Sequence, residues 1–263
     1  MADNDSLNPV IFCGAGPGDP ELITVKGKKA LERADLVVYA GSLVPRQLLD
    51  WAPRARAVDS AGLNLDEIVD LMASARAGGQ KVVRLHTGDP SLYGAIAEQI
   101  RALEERKIPC RIIPGVTAAF AAAAALGLEY TLPEVCQSLI LTRMAGRTPV
   151  PDAEALEKLA SHKTSMVIYL SAGLVQKVAA ALEAAYGAGA PCAVVYRASW
   201  PDQQIIRTRI GDLAARMTEA GIKRQALIIV SPALDAGQAK PSRLYCRTFS
   251  HGFRKAAEDP KKR

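Results

Sequence analysis

Short aliphatic and β-branched runs alternate along this chain with stretches whose apolar positions recur every three to four residues, so strands and helices should follow one another. In the first half the pattern predicts strands over 9–13, 36–39, 81–85 and 110–113, and helices over 21–33, 64–78, 93–105 and 116–126. The helix over 64–78 is the best marked. Asn64 can cap it, Glu67 follows three residues on, and Ile68, Leu71, Met72 and Ala75 form one stripe that Gly78-Gly79 ends. Around Glu129–Glu134 a turn proline, Pro133, and charge interrupt the rhythm, which then restarts. Strands are expected over 138–141, 165–170, 192–196 and 226–230, and helices over 152–160, 174–185 and 212–220. Residues 204–210 alternate polar with apolar and read as an edge strand.

This alternation implies an α/β protein with two α/β domains, their sheets mostly parallel or mixed and covered by helices, and a ligand cleft between them. The boundaries fall at 1–130 for an N-terminal domain carrying Gly-rich loops, 131–235 for a C-terminal domain and 236–263 for a basic tail.

Composition narrows the function classes. With 49% hydrophobic residues in 263, the chain can bury a real core. No run approaches the roughly 20 apolar residues of a membrane span, and the polar start, Met1 to Asn8, is unlike an export signal, so a cytoplasmic protein off the membrane is expected. Five scattered cysteines without a C-x-x-C pair read as reduced thiols, and His86, His162 and His251 lack metal-ligand spacing, so no bound metal is expected. The net charge of +6 lies wholly in residues 240–263, with eight Lys/Arg against two acids. The body is neutral, which argues against a nucleic-acid partner and makes the tail a solvated end.

Three loops that follow strands carry the candidate chemistry. The first, Gly14-Ala15-Gly16-Pro17-Gly18-Asp19-Pro20, has the layout of a dinucleotide loop but not its chemistry. Asp19 stands where a third glycine is wanted and would repel an anion, and Pro17 and Pro20 lack the amides a diphosphate needs. A phosphate-free ligand such as S-adenosylmethionine (SAM) suits it better. The second loop, His86-Thr87-Gly88-Asp89-Pro90-Ser91-Leu92-Tyr93-Gly94, offers close backbone approach at Gly88, acceptors at Asp89 and a first-turn proline at Pro90. The third, Pro114-Gly115-Val116-Thr117-Ala118-Ala119-Phe120, places a hydroxyl at a helix start before an alanine face on which a flat ring could lie. All three should meet at one edge of one sheet. Arg46, Arg84, Arg143, Arg147, Arg197, Arg207 and Arg209, near loops or strand ends, are candidates for binding substrate carboxylates.

Together these loops resemble the tetrapyrrole methyltransferase superfamily. Tyr39-Ala40-Gly41-Ser42-Leu43-Val44, Thr131-Leu132-Pro133-Glu134 and Tyr196-Arg197-Ala198-Ser199-Trp200-Pro201-Asp202-Gln203 resemble its branch that methylates carbon 11. The resemblance covers residues 9–235 and leaves the tail unplaced. It implies a homodimer using SAM, with S-adenosylhomocysteine as product, and methylation of carbon 11 of precorrin-4 to precorrin-5 in cobalamin biosynthesis. Carried over position by position, it implies cofactor contacts at Pro17, Thr87, Gly88, Asp89, Leu92, Thr117, Ala118, Leu170 and Ala198. Thr87 replaces the family's usual glycine, Leu170 a frequent methionine, and Ala198 a glycine found in some relatives.

Methyl transfer is a displacement at carbon that mainly requires alignment and exclusion of water. No Ser-His-Asp or Cys-His set is evident, and the sequence selects no catalytic base. The readings left open are a cobalt-precorrin-4 or uroporphyrinogen III methyltransferase, a ribosomal RNA ribose methyltransferase, a nucleotide-binding oxidoreductase and a non-catalytic tetrapyrrole carrier.

Overall fold

The computed structural model describes residues 8–237 and 242–257. The first block forms strand β1 (Val10–Gly14), helix α1 (Val25–Glu32), strands β2 (Leu36–Tyr39) and β3 (Arg56–Asp59), helix α2 (Leu65–Ala77), strand β4 (Val82–His86), helix α3 (Ile96–Glu105), strand β5 (Cys110–Ile113) and helix α4 (Ala118–Leu126). The second forms β6 (Leu139–Arg143), α5 (Leu156–Ala160), β7 (Ser165–Tyr169), α6 (Val175–Tyr186), β8 (Pro191–Tyr196), β9 (Gln204–Arg209), α7 (Leu213–Glu219) and β10 (Ala226–Val230). The chain clusters into two compact units. One holds Met1–Ala122 with Arg197–Gln203, the other Ala123–Tyr196 with Gln204–Arg263.

The first unit's sheet has the order β3-β2-β4-β1-β5, and every pairing in it is parallel. One face packs Ala30 and Leu31 of α1 with Val37, Val83 and Leu85; the other packs Ile68, Val69 and Met72 of α2 and Leu103 of α3 with Val10, Phe12 and Val38. Chain leaving β1 therefore turns to one face, and chain leaving its neighbour β4 turns to the other. In an open parallel sheet the crevice between two such strand ends is where ligands bind.

The second unit's sheet, β6-β7-β10-β8-β9, is mixed: β6 and β7 run parallel, and the other three pairings are antiparallel. Its core gathers Leu156, Met166, Ile168, Val178, Leu182, Val194, Leu213 and Ile228. As the alternation predicts, β9 is an edge.

Three expectations are corrected. The helix foreseen over 21–33 is broken, because the Thr24 side chain accepts the Gly27 N–H at 3.0 Å and starts α1 afresh. The helix foreseen from Tyr93 begins at Ile96, since Tyr93 and Ala95 hold φ of 56° and 49°; Pro90 lies in the preceding turn, not at a first helical position. An unforeseen strand, β3, exists because an edge strand needs no apolar run: Arg56, Ala57 and Asp59 are exposed. On α2, Asn64 and Glu67 form a reciprocal capping box at 2.8 and 3.0 Å.

Candidate functional site

Strands β4, β1 and β5 lie side by side, in a register that sets Gly14 opposite His86 and Cys13 opposite Ile113. All three glycine-rich loops therefore leave the sheet at one edge, as the sequence predicts. They also hold one another. The Gly88 N–H donates to the Gly16 carbonyl at 2.7 Å and the Gly16 N–H returns a bond at 3.3 Å, while Ala15 donates to the His86 carbonyl at 2.7 Å. The Gly115 N–H donates to Asp89 Oδ2 and the Ser91 N–H to Asp89 Oδ1, both at 2.8 Å. At the third loop no side chain fits. A Cβ on Gly115 would stand 2.1 Å from the Gly88 oxygen and 2.8 Å from the Gly14 Cα.

The segment Arg197–Gln203 completes this cluster. Ser199 Oγ accepts the Asp19 N–H at 2.9 Å, and the Trp200 indole donates to the Pro17 carbonyl at 2.9 Å. The indole occupies the space that a Cβ on Gly18 would need, 2.2 Å away. Arg197 sits 4.1 Å over the Trp200 ring and pairs with Asp202 at 2.5 Å. This contact, between segments some 180 residues apart, is what joins residues 197–203 to the first unit, although they follow a strand of the second. No pattern of apolar positions signals it; in the sequence only the motif resemblance, which carries Ala198 over as a cofactor contact beside Pro17, points to it.

Of the nine candidate cofactor residues, eight belong to the first unit. Pro17, Gly88 and Ala198 are buried; Thr87, Asp89, Leu92, Thr117 and Ala118 are half-buried. Leu170 belongs to the second unit, at the end of β7, where it is 71% exposed with φ 53°. An exposed leucine in the left-handed region is strained, a feature that concentrates at ligand sites.

The amides of Ala15, Gly16, Gly88 and Gly115 are all committed within the cluster, and Asp19 donates to Ser199. The Asp19 carboxylate accepts from Glu21 at 2.8 Å. Those five amides are therefore not available to a diphosphate, whereas a nucleoside without phosphate has no need of them.

Most of the candidate arginines are already engaged. Arg84 is 5% exposed inside the first unit, donating to Gln99 Oε1 at 3.1 Å and to the Val38 carbonyl at 3.2 Å, with burial pushing its guanidinium down to about 10. Arg143 closes its own loop on the carbonyls of Thr148 and Pro149, Arg207 holds the Leu126 carbonyl, and Arg209 pairs with Asp235. Arg46 and Arg147 are exposed and keep free guanidinium groups among the described residues.

Beside Arg84, His86 is buried and stacked on Phe12, and its Nε2 has no partner. Burial first, and then the Arg84 charge, push its imidazole down to about 3. It is neutral at pH 7 and is no proton carrier for a ring held outside. The sequence signal for this buried polar pair is charge within the apolar run of β4. Because the folded state resists protonation that the unfolded chain accepts, stability should be complete above pH ~6.5 and fall as pH drops toward 3, by up to about 1.4 kcal/mol per unit. Chemical denaturation of wild type and His86→Phe at pH 7.5 and 5.0 checks this. Wild type should lose about 2 kcal/mol more than the variant; equal losses would refute the assignment.

Residues 9–214 match the family of tetrapyrrole (corrin/porphyrin) methylases. The chain belongs to that family. Among its curated members, the cobalt-precorrin-4 C(11)-methyltransferase of Methanocaldococcus jannaschii is 50% identical over 254 residues, covering 96% of this chain and 98% of that one. The precorrin-4 C(11)-methyltransferase of Pseudomonas aeruginosa is 48% identical, covering 93% and 98%. A solved methylase of cobalamin biosynthesis, a cobalt precorrin-4 methyltransferase, superposes with a TM-score of 0.86 at 46% identity, covering 89% of this chain and 99% of its own. The uroporphyrin-III C-methyltransferase of Thermus thermophilus, solved with S-adenosyl homocysteine, gives 0.72 at 28% identity, covering 85% and 97%. At 254 residues, the match to the archaeal methylase runs past residue 235, into the segment the motif resemblance left unplaced. Among the described residues no group of three or more His, Cys, Asp or Glu is placed to hold a metal ion, and no helix is long and apolar enough to cross a membrane.

Proposed function

We propose that this chain is a SAM-dependent methyltransferase that methylates carbon 11 of precorrin-4, giving precorrin-5 in cobalamin biosynthesis, and that it works as a cytoplasmic homodimer. The observation that carries the cofactor reading is the knot of three glycine loops at the β4/β1 switch point, with the amides of Ala15, Gly16, Gly88 and Gly115 bonded within it. The curated relatives, at 48–50% identity over nearly the whole chain, carry the substrate reading.

Pro17, Thr87, Gly88, Asp89, Leu92, Thr117, Ala118 and Ala198, all of the first unit, would line the cofactor's seat. SAM supplies an activated methyl group on a sulfonium. The protein's part is to hold and align the reactants and keep water out, and an electron-rich tetrapyrrole carbon needs no nucleophile from the chain. Arg46 and Arg147 are free to meet substrate carboxylates.

Calorimetric titration should show micromolar binding of S-adenosylhomocysteine and none of NAD; the opposite pattern would leave an oxidoreductase. Labelled SAM offered with precorrin-4, cobalt-precorrin-4, precorrin-3 and RNA should methylate a precorrin-4 form alone. Running the metal-free and cobalt-loaded forms side by side decides which is the substrate, a point on which the relatives' names divide.

A further inference from the structure

The segment 242–257 lies within the part of the chain that carries the net positive charge. It is a hook tied by its own hydrogen bonds. Arg254 donates to the carbonyls of Leu244 at 2.6 Å and Cys246 at 2.8 Å, His251 and Arg254 exchange backbone bonds at 2.8 and 3.0 Å, and Ala257 donates to the Arg247 carbonyl at 3.0 Å. Ser242 caps the single turn Arg243–Tyr245 through the Leu244 N–H at 3.2 Å. So tied, the hook turns its large apolar side chains outward. Phe253 is 100% exposed, Tyr245 81% and Leu244 47%, and Phe249 is exposed too. Each exposed ring would gain roughly 150–250 Å² of burial from a partner.

Charge selects the partner. Residues 242–257 hold Arg243, Arg247, Arg254 and Lys255 and no acid. Among the described residues the side chains of Arg243, Arg247 and Lys255 form no hydrogen bond or ion pair. Flat apolar rings beside uncommitted guanidinium groups fit a ligand that is itself flat, apolar in its middle and ringed by carboxylates. We infer that the hook is a substrate-binding arm: Tyr245 and Phe253 lie against the tetrapyrrole macrocycle while Arg243 and Arg247 take its carboxylates. This rests on the tetrapyrrole reading above and adds a subsite to it.

Two full-length variants test it, Tyr245→Ser/Phe253→Ser and Arg243→Ser/Arg247→Ser. In methyl transfer to anaerobically supplied precorrin-4, each should raise KM for the tetrapyrrole about tenfold, with kcat within about twofold. The Kd for S-adenosylhomocysteine should not move. An unchanged KM overturns the arm. So does a loss of cofactor binding in step with activity, which marks a structural role. Dissociation of the variants into monomers by sedimentation would assign the hook to a second copy of the chain, and loss only of binding to anionic vesicles would assign it to a membrane; either result overturns the inference. If wild type transfers no methyl to precorrin-4, the parent reading falls and takes this one with it, an outcome distinct from active variants with wild-type KM.

Discussion

Replacing Gly115 with alanine is expected to abolish S-adenosylhomocysteine binding, weakening it by at least about a hundredfold, and to cost roughly 3 kcal/mol of stability. The added methyl would meet the Gly88 oxygen at 2.1 Å, with the Gly14 backbone on its other side. Both neighbours are main chain, so no rotamer relieves the contact. Relief requires a loop to move by about an ångström, and each loop is bonded to another. A shift of that size at a binding site costs about two orders of magnitude. Calorimetry with S-adenosylhomocysteine, paired with denaturant unfolding, reads both effects. Gly127→Ala is a comparison of the same chemistry away from the knot, where φ is 59° but nothing stands within 4 Å of the new Cβ. It should lose a little stability and leave ligand affinity alone. Binding by Gly115→Ala within about threefold of wild type would show that the knot does not shape the cofactor's seat.

Much of this site is legible in the sequence because its logic is local. A strand ending in a glycine loop is visible in a dozen residues, and three such loops after parallel strands must share an edge. The poor fit of the first loop to a phosphate is legible too, since Pro17, Asp19 and Pro20 announce it by residue type. What the sequence hides is whatever depends on distant chain. Trp200 sits in the first loop only because β8 returns residues 197–203 to it, a placement no window of sequence contains. Tyr93 and Ala95 lie in a helix-like pattern yet take left-handed backbone, which periodicity alone does not reveal. Strand β3 is missed because edge strands need not be apolar. The arginines show the same limit from the other side. Their positions near loop ends suggest substrate contacts, but Arg84 turns inward to Gln99 and Val38 while Arg143 and Arg207 hold carbonyls of their own unit. Residue type proposes a partner, and the fold decides whether a nearer one has taken it.

Asp89 is where a local and a distant role meet, and its substitution separates them. In the sequence it reads as a ligand acceptor. In the structure each oxygen accepts one backbone N–H, from Ser91 in its own loop and from Gly115 in the next. The carboxylate is thus a brace between two loops, and its remaining lone pairs are what a ligand hydroxyl or ammonium could use. Asp89→Ala leaves both amides without their acceptor and should cost about 2 kcal/mol of stability, together with a ten- to hundredfold loss of S-adenosylhomocysteine affinity, roughly. Asp89→Asn keeps one carbonyl oxygen but points an NH2 at the other amide, so one bond survives and one becomes a repulsion. If bracing is the main role, the asparagine variant should fall between wild type and alanine in both stability and affinity, the two losses tracking each other. If Asp89 serves chiefly as a ligand contact, affinity should collapse in both variants while the unfolding midpoint hardly moves. Unfolding curves and titrations on the same three proteins distinguish these patterns, and the second would remove the brace from the account of how the loops are held.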